Sequence, residues 1–391
     1  MIYSNFQDIK LSKLGFGTMR LPVKEDNTID QNQVEEMIDI AIKSGINYFD
    51  TAFPYHSGLS EISVGKALSK YPRDSYYLAN KYPGHQIADE YKPEEIFEKQ
   101  LKKCGVDYFD FYLLHNVYEN DIDVYEDPKW GIIDYFVKQK ELGRIKHLGF
   151  SSHAQADILE QFIEKHPNTF EFCQIQLNYV DWGLQNAKKK VEILNKHNLP
   201  IIVMEPVRGG KLANFDEETN KKLNDLRPNL SVASWAFNWL LNIEGIAVVL
   251  SGMSNIEQMQ DNIKTFNDNN SLNEDEINLV YDIAKKLANT VPCTKCRYCC
   301  EGCPMGLDIP RLINIYNDLK VTKSVNTIMA LDSMDKDKWP SACLKCGACA
   351  QICPQSIQIP DILEDLTNTI NSMTSWAEIS KQRAEEAKRN G

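Results

Sequence analysis

The sequence is short of positive charge. Its 43 Lys and Arg against 55 Asp and Glu leave a formal net charge of −12, which argues against a nucleic-acid surface, because phosphate binding relies on clustered cations. No apolar run approaches the roughly 20 residues that span a bilayer, so no membrane association is expected. The opening segment, MIYSNFQDIK, has neither a basic n-region nor an apolar h-region, and a reducing cytoplasm is the expected setting. No G-x-G-x-x-G opens a helix after the first strand-like run, which disfavours a doubly wound dinucleotide domain. Cysteine is scarce before residue 290: Cys104 and Cys173 lie in apolar surroundings and read as ordinary core. At 391 residues, 43% hydrophobic, the chain can build one large domain and one small one.

The cysteines that remain are concentrated. Cys293, Cys296, Cys299 and Cys303, then Cys343, Cys346, Cys349 and Cys353, each read C-x2-C-x2-C-x3-C-P, with the second group offset by fifty positions. This is the spacing of iron–sulfur ligands, in which the distal cysteine before the proline crosses to the other cluster. The expected assignment is two [4Fe-4S] clusters, one on Cys293, Cys296, Cys299 and Cys353, the other on Cys343, Cys346, Cys349 and Cys303. Disulfides would need an oxidising compartment, and zinc would want two pairs of ligands where each group offers three evenly spaced thiols and a displaced fourth. Cys300 is a neighbour without an assigned role. The repeat continues as Leu307-x-Ile309-Pro310 against Ile357-x-Ile359-Pro360, one unit used twice.

Upstream, short β-rich runs alternate with amphipathic helical stretches, the pattern of a parallel α/β fold. Eight candidate strands fall at 14–18, 48–52, 76–81, 109–115, 145–151, 172–177, 201–205 and 246–251. Eight strands and about 290 residues predict a (β/α)8 TIM barrel over 1–290, with Val291-Pro292 as the boundary. The 39 residues between Cys303 and Cys343 include a helix-like run at 311–316. They predict a small, mostly helical dicluster domain over 291–391, similar to the helical ferredoxin modules of some respiratory enzymes. The charged, helix-prone segment after Trp376 offers nothing apolar to bury, and its end is expected to fray.

Barrel enzymes draw their working residues from the C-terminal ends of strands. Asp50, Tyr55, Lys81 and His115 occupy such positions. Each alone has a plain structural reading as a cap or a hydrogen-bonded side chain. Together they suit carbonyl reduction: a tyrosine gives a proton to the carbonyl oxygen, a neighbouring lysine cation lowers its pKa toward neutrality, an aspartate holds the lysine, and a histidine orients the oxygen.

At these residues the chain resembles the aldo-keto reductase family, and as a whole the branch carrying a C-terminal two-cluster ferredoxin domain. The resemblance rests also on Leu14-Gly15-Phe16-Gly17-Thr18, on Gly149-Phe150-Ser151-Ser152 and on Gln174. It implies a nicotinamide cofactor, NAD(P)(H), extended over the rim, with Ser151, Ser152 and Gln174 on the carboxamide. Met204 then stands where many members stack an aromatic ring, and Pro206 with Arg208 lie along the pyrophosphate. Gly252, Ser254, Gln258 and Asn262 fall in the adenosine segment. Gly252 and Gln258 replace the Lys and Arg of members that prefer a 2′-phosphate, which weakens the expectation of NADP selectivity. The implied partners are a small carbonyl or alcohol substrate and a ferredoxin or other redox protein. Competing readings make the clusters structural or oxygen-sensing, or make the whole chain a non-catalytic electron carrier.

Overall fold

The computed structural model describes every residue except 87, 269, 288–290, 292, 294–296, 322, 324, 354, 390 and 391, and gives the backbone alone for 298, 301, 325, 326, 387 and 388. Pro292 and Cys296 therefore lie outside the described residues. A two-stranded antiparallel hairpin, β1 (Tyr3–Phe6) and β2 (Ile9–Ser12), comes first. Eight parallel strands then close a barrel: β3 (Leu14–Gly17), β4 (Tyr48–Asp50), β5 (Tyr77–Tyr82), β6 (Phe109–Val117), β7 (Ile145–Ser152), β8 (Cys173–Gln176), β9 (Ile201–Met204) and β10 (Ile246–Ser251), with β10 returning to β3.

These strands form because they are apolar runs buried on both faces, as a parallel sheet under helices requires. The helices present one apolar stripe each. In Gln31–Lys43 the stripe is Val34, Met37, Ile38 and Ala41, and the Asp30 carboxylate caps the first turn by accepting from the Gln33 N–H, a contact worth about 1 kcal/mol. Inside the barrel Gly149 makes room for Phe172, whose ring would lie 2.6 Å from any Cβ placed there.

The hairpin decides which end of the barrel is open. Phe6 lies edge-on to Phe111 and Phe172, at 5.2 and 6.1 Å between centroids, in one cluster with Leu11, Tyr48 and Ile202. Ser4 Oγ donates to the Ala247 carbonyl and Asn47 Nδ2 to that of Lys10, both at the starts of barrel strands. The N-terminal end is plugged, and the C-terminal rim is left for chemistry.

The C-terminal unit is two copies of one motif. Short helices Tyr298–Glu301 and Ala348–Ile352 start fifty positions apart, as do the longer helices Ile309–Val321 and Ile359–Asn371. Leu307, Ile309, Leu312 and Ile313 meet Ile357, Ile359, Leu363 and Leu366 in one core that includes Cys299 and Cys349. Two further helices, Val325–Asp332 and Trp376–Arg389, carry the unit onto the barrel. There Ile328, Met329 and Trp376 pack against Tyr118 and Ala154, which follow β6 and β7. The cluster-bearing unit thus sits on the open rim. The charged segment after Trp376 is helical to Arg389, as its composition favours, and it does bury apolar side chains: Trp376 is buried at its first position and Ile379 packs beside it. Among the described residues no helix is long and apolar enough to cross a membrane.

Candidate active site

Asp50 ends β4 and Lys81 lies near the end of β5, so both side chains emerge at the rim. Lys81 Nζ donates to Asp50 Oδ1 at 2.5 Å, to the Thr51 carbonyl at 2.8 Å and to Tyr55 Oη at 3.4 Å. The two charges are 1% and 2% exposed. Such a pair is costly to desolvate and weak evidence for stability alone; its value here is to deliver a fixed cation to the phenol. The strand ends around it are tied by hydroxyls: Thr18 Oγ1 donates to the Asp50 carbonyl, and Thr18 and Thr51 each lie 2.9 Å from Ser60 Oγ.

Tyr55 opens the short turn Tyr55–Gly58, in which His56 and Ser57 take left-handed backbone angles (φ 49° and 53°), a conformation that costs non-glycine residues energy. His56 Nε2 accepts from the Leu21 N–H at 3.0 Å, which pins the turn to the loop after β3. His115, in β6, has its ring 6.1 Å from that of Tyr55 and 4.4 Å from that of His85. All four expected residues therefore meet at one place.

Their titration follows from burial. Burial works against the Lys81 cation, but Asp50, then Tyr55, outweigh it and hold Lys81 above its usual value. Burial, then His85 and Lys81, push His115 well below the usual histidine range, so it is neutral. For Tyr55 the structure corrects the expectation that Lys81 brings the phenol toward neutrality. Burial raises it above its ordinary value, with Lys81 opposing and the Asp50 charge adding to the rise. The phenol is held in the protonated form that a proton donor needs.

Beside Tyr55 a groove of about 290 Å³ runs along the ends of β8, β9 and β10. Gln174, Met204, Pro206, Gly252, Ser254, Gln258 and Asn262 line it, with Asp50 and Tyr55 at one end. Gln174 Oε1 is buried without a hydrogen-bond partner, so an amide-bearing group fits there. Ser151 and Ser152 lie beside it and are used locally: Ser151 Oγ accepts from the Asn116 N–H at 2.7 Å and Ser152 Oγ donates to the Val117 carbonyl at 2.8 Å. Gln258 Oε1 accepts from the Ser254 N–H, and Asn262 Nδ2 donates to Ser251 Oγ.

Arg208 is the exception among the expected contacts. It is buried, away from the groove, and its guanidinium bonds Asp181 and, across to the cluster-bearing unit, Asp318. Both carboxylates claim its donors, so it is an inter-unit tie rather than a pyrophosphate ligand. The cation that lines the groove is Arg20, whose side chain passes 3.4 Å from the place of a Gly252 Cβ. Its position just past Thr18, in the loop after the first barrel strand, was the available signal for it. His85, Trp376 and Arg383, also at the site, carried none.

In the C-terminal unit Cys303, Cys343, Cys346 and Cys349 line one small cavity, bringing the distal thiol of the first group to the three near ones of the second. The Lys345 N–H points at Cys343 Sγ at 3.4 Å. Cys293, Cys299, Cys300 and Cys353 border the same core. Among the described residues the His, Cys or acidic donors that converge within 4.8 Å are Glu160, Glu164 and His197 on the outside of the barrel.

A closed parallel barrel with Asp50, Tyr55, Lys81 and His115 at its open rim defines an oxidoreductase of the aldo-keto reductase type. Residues 13–285 match the aldo/keto reductase family and residues 292–357 the 4Fe-4S dicluster domain; the chain belongs to the aldo/keto reductase family and is a nicotinamide-dependent oxidoreductase. Similar proteins include the uncharacterized oxidoreductase YqkF of Bacillus subtilis (26% identical over 309 residues, 71% of this chain and 94% of that protein). The NADH-specific methylglyoxal reductase of Escherichia coli is 24% identical over 326 residues, 72% of this chain and 97% of that protein. Among solved structures, the aldo-keto reductase AKR11C1 from Bacillus halodurans in its holo form aligns with a TM-score of 0.58 at 25% identity, over 73% of this chain and 97% of that one.

Proposed function

We propose that the protein reduces a small aldehyde or ketone with a nicotinamide cofactor, or oxidises the corresponding alcohol, and that two [4Fe-4S] clusters serve electron exchange with a ferredoxin or other redox protein. The observation that carries the first half is the Lys81 ammonium, which reaches both the Asp50 carboxylate and the Tyr55 hydroxyl at the mouth of the groove. When bound, reduced nicotinamide supplies a hydride and the clusters supply electrons singly. Gln174, Ser151 and Ser152 would hold the carboxamide, Met204 and Pro206 the adjoining ring and ribose, and Gly252, Ser254, Gln258 and Asn262 the adenosine end. With Arg208 committed elsewhere, Arg20 is the cation left for the pyrophosphate. Tyr55 gives its hydroxyl proton to the carbonyl oxygen, Lys81 stabilises the phenolate that remains, and neutral His115 donates an N–H to the same oxygen. Asp50 keeps Lys81 charged where burial would otherwise neutralise it.

The NADH specificity named for the Escherichia coli relative, together with Gly252 and Gln258, supports a preference for NADH. Cys293, Cys296, Cys299 and Cys353 would hold one cluster and Cys303, Cys343, Cys346 and Cys349 the other; a reducing cytoplasm suits both. What supports electron exchange over a purely structural role is the docking of that unit on the rim, where Met329 and Trp376 pack beside the active site. The test is anaerobic turnover of NADH or NADPH against methylglyoxal and simple aldehydes, followed by stopped-flow mixing with dithionite-reduced ferredoxin. Turnover and cluster reduction linked to nicotinamide are expected. No turnover would leave the electron-carrier reading, and clusters that stay oxidised would leave the structural one.

A further inference from the structure

One cation at the site has no role in the account so far. Arg383, in the last helix, lies 5.9 Å from the Trp376 ring centre. Trp376 stacks on His85 at 5.9 Å and 16° between planes, and His85 meets His115 at 4.4 Å. The same helix is fastened to the turn that carries Tyr55, since Ser57 Oγ donates to Glu386 Oε2 at 2.6 Å. The helix therefore lies against Tyr55, His85 and His115, and a carbonyl must reach both Tyr55 and His115. Arg383 does not line the groove of Gln174 and Gly252.

Three buried or half-buried guanidinium groups elsewhere in the molecule carry carboxylates, Arg73 with Asp110, Arg208 with Asp181 and Asp318, Arg227 with Glu276, and Arg311 is held by the Ala330 carbonyl and Ser333 Oγ. Arg383 is partly buried and, among the described residues, has no hydrogen bond or ion pair. Burial lowers its pKa, with Tyr55 and Glu386 pulling the other way, so part of its hydration is lost without a partner that replaces it. Glu386, the nearest acid on its own helix, is held by Ser57. A partly buried guanidinium without a carboxylate, near Tyr55 and over Trp376, matches one planar anion, and a single guanidinium balances a single negative charge.

We infer that Arg383 is a specificity-determining residue that takes the carboxylate of an anionic carbonyl substrate, while the carbonyl oxygen of the same molecule meets Tyr55 and His115. The substrate class is then an aldehyde or ketone acid, and the cluster-bearing unit completes the substrate pocket of the barrel. This inference rests on the carbonyl-reductase reading, and the test separates the two.

Holoenzyme purified anaerobically is assayed with two matched pairs: succinic semialdehyde against its amide, and 4-carboxybenzaldehyde against 4-formylbenzamide. The parent should favour at least one acid over its amide by about tenfold or more in kcat/KM, mainly through KM, as a charge-assisted hydrogen bond gives. R383Q should bring that ratio near unity, the acid losing far more than the amide, and R383K should keep part of it. A ratio that R383Q leaves intact, or an equal loss on both members of a pair, overturns the assignment. Binding is read independently by calorimetry of 4-(hydroxymethyl)benzoate and its amide on the NADH complex. If no carbonyl turns over, the reductase reading fails, yet a carboxylate preference in binding that vanishes in R383Q still upholds Arg383. No such preference in the parent overturns it.

Discussion

Replacing Lys81 by Met removes one half of an ion pair whose members are 1% and 2% exposed. Asp50 Oδ2 has no hydrogen-bond partner, and Oδ1 has Lys81 alone. The substitution therefore strips the carboxylate of its donor inside the protein, and breaking a buried pair in this way costs about 3–5 kcal/mol. Burial already holds the Asp50 carboxyl above its ordinary value with Lys81 opposing, and without Lys81 it rises further, so the orphaned Asp50 lowers that cost by binding a proton. A group raised in this way is stabilising below its unfolded pKa, and that contribution is lost as pH rises through the folded one. The gap between parent and Lys81→Met should thus widen from about pH 5.5 to 8.5. Adding Asp50→Asn removes the stranded charge, so the double variant should recover most of the loss. Anaerobic urea titrations suit the measurement, because four of the six tryptophans, Trp130, Trp182, Trp235 and Trp239, report the barrel. Equal destabilisation of single and double variants, with no pH dependence, would refute the coupling.

Three further outcomes follow. Reconstituted protein should carry about eight iron and eight sulfide, and Cys346→Ser should remove mainly one cluster and about half the iron; stoichiometric zinc without iron would overturn the cage. Gln258→Arg should shift preference toward NADPH by about 1 kcal/mol, less whatever is lost when the Ser254 N–H forfeits its acceptor, and the NADH to NADPH ratio of kcat/KM reads it. Carbonyl reduction should be flat with pH from about 6 to 9, since a tyrosine raised above its usual value near 10 stays protonated and His115, lowered, stays neutral. A fall with an apparent pKa near 8 would show Lys81 dominating the phenol after all.

The barrel was legible because parallel strands buried on both faces are written as apolar runs, and all eight fall within a residue or two of the expected positions. The tetrad was legible because strand ends are fixed once the strands are. The N-terminal hairpin was not: its turn places Gln7 at φ 52° without the glycine that would have marked it. Arg208 lies in the turn Arg208–Gly210 after the strand Ile201–Met204, but its partner Asp318 comes 110 positions later in another unit, and no local pattern foretells such a pairing. The docking of the last helix was not legible, because its composition is charged and its hold on the barrel rests on a few scattered residues, Trp376, Ile379 and Glu386.

Tyr55 carries the proposed proton transfer. Tyr55→Phe keeps the ring and removes the hydroxyl that Lys81 reaches, so carbonyl reduction should fall by at least the roughly 10² to 10⁴ that one acid–base group supplies, while NADH titrates with the parent affinity. Near-parental reduction of a carbonyl by Tyr55→Phe would contradict the proposed chemistry of the site.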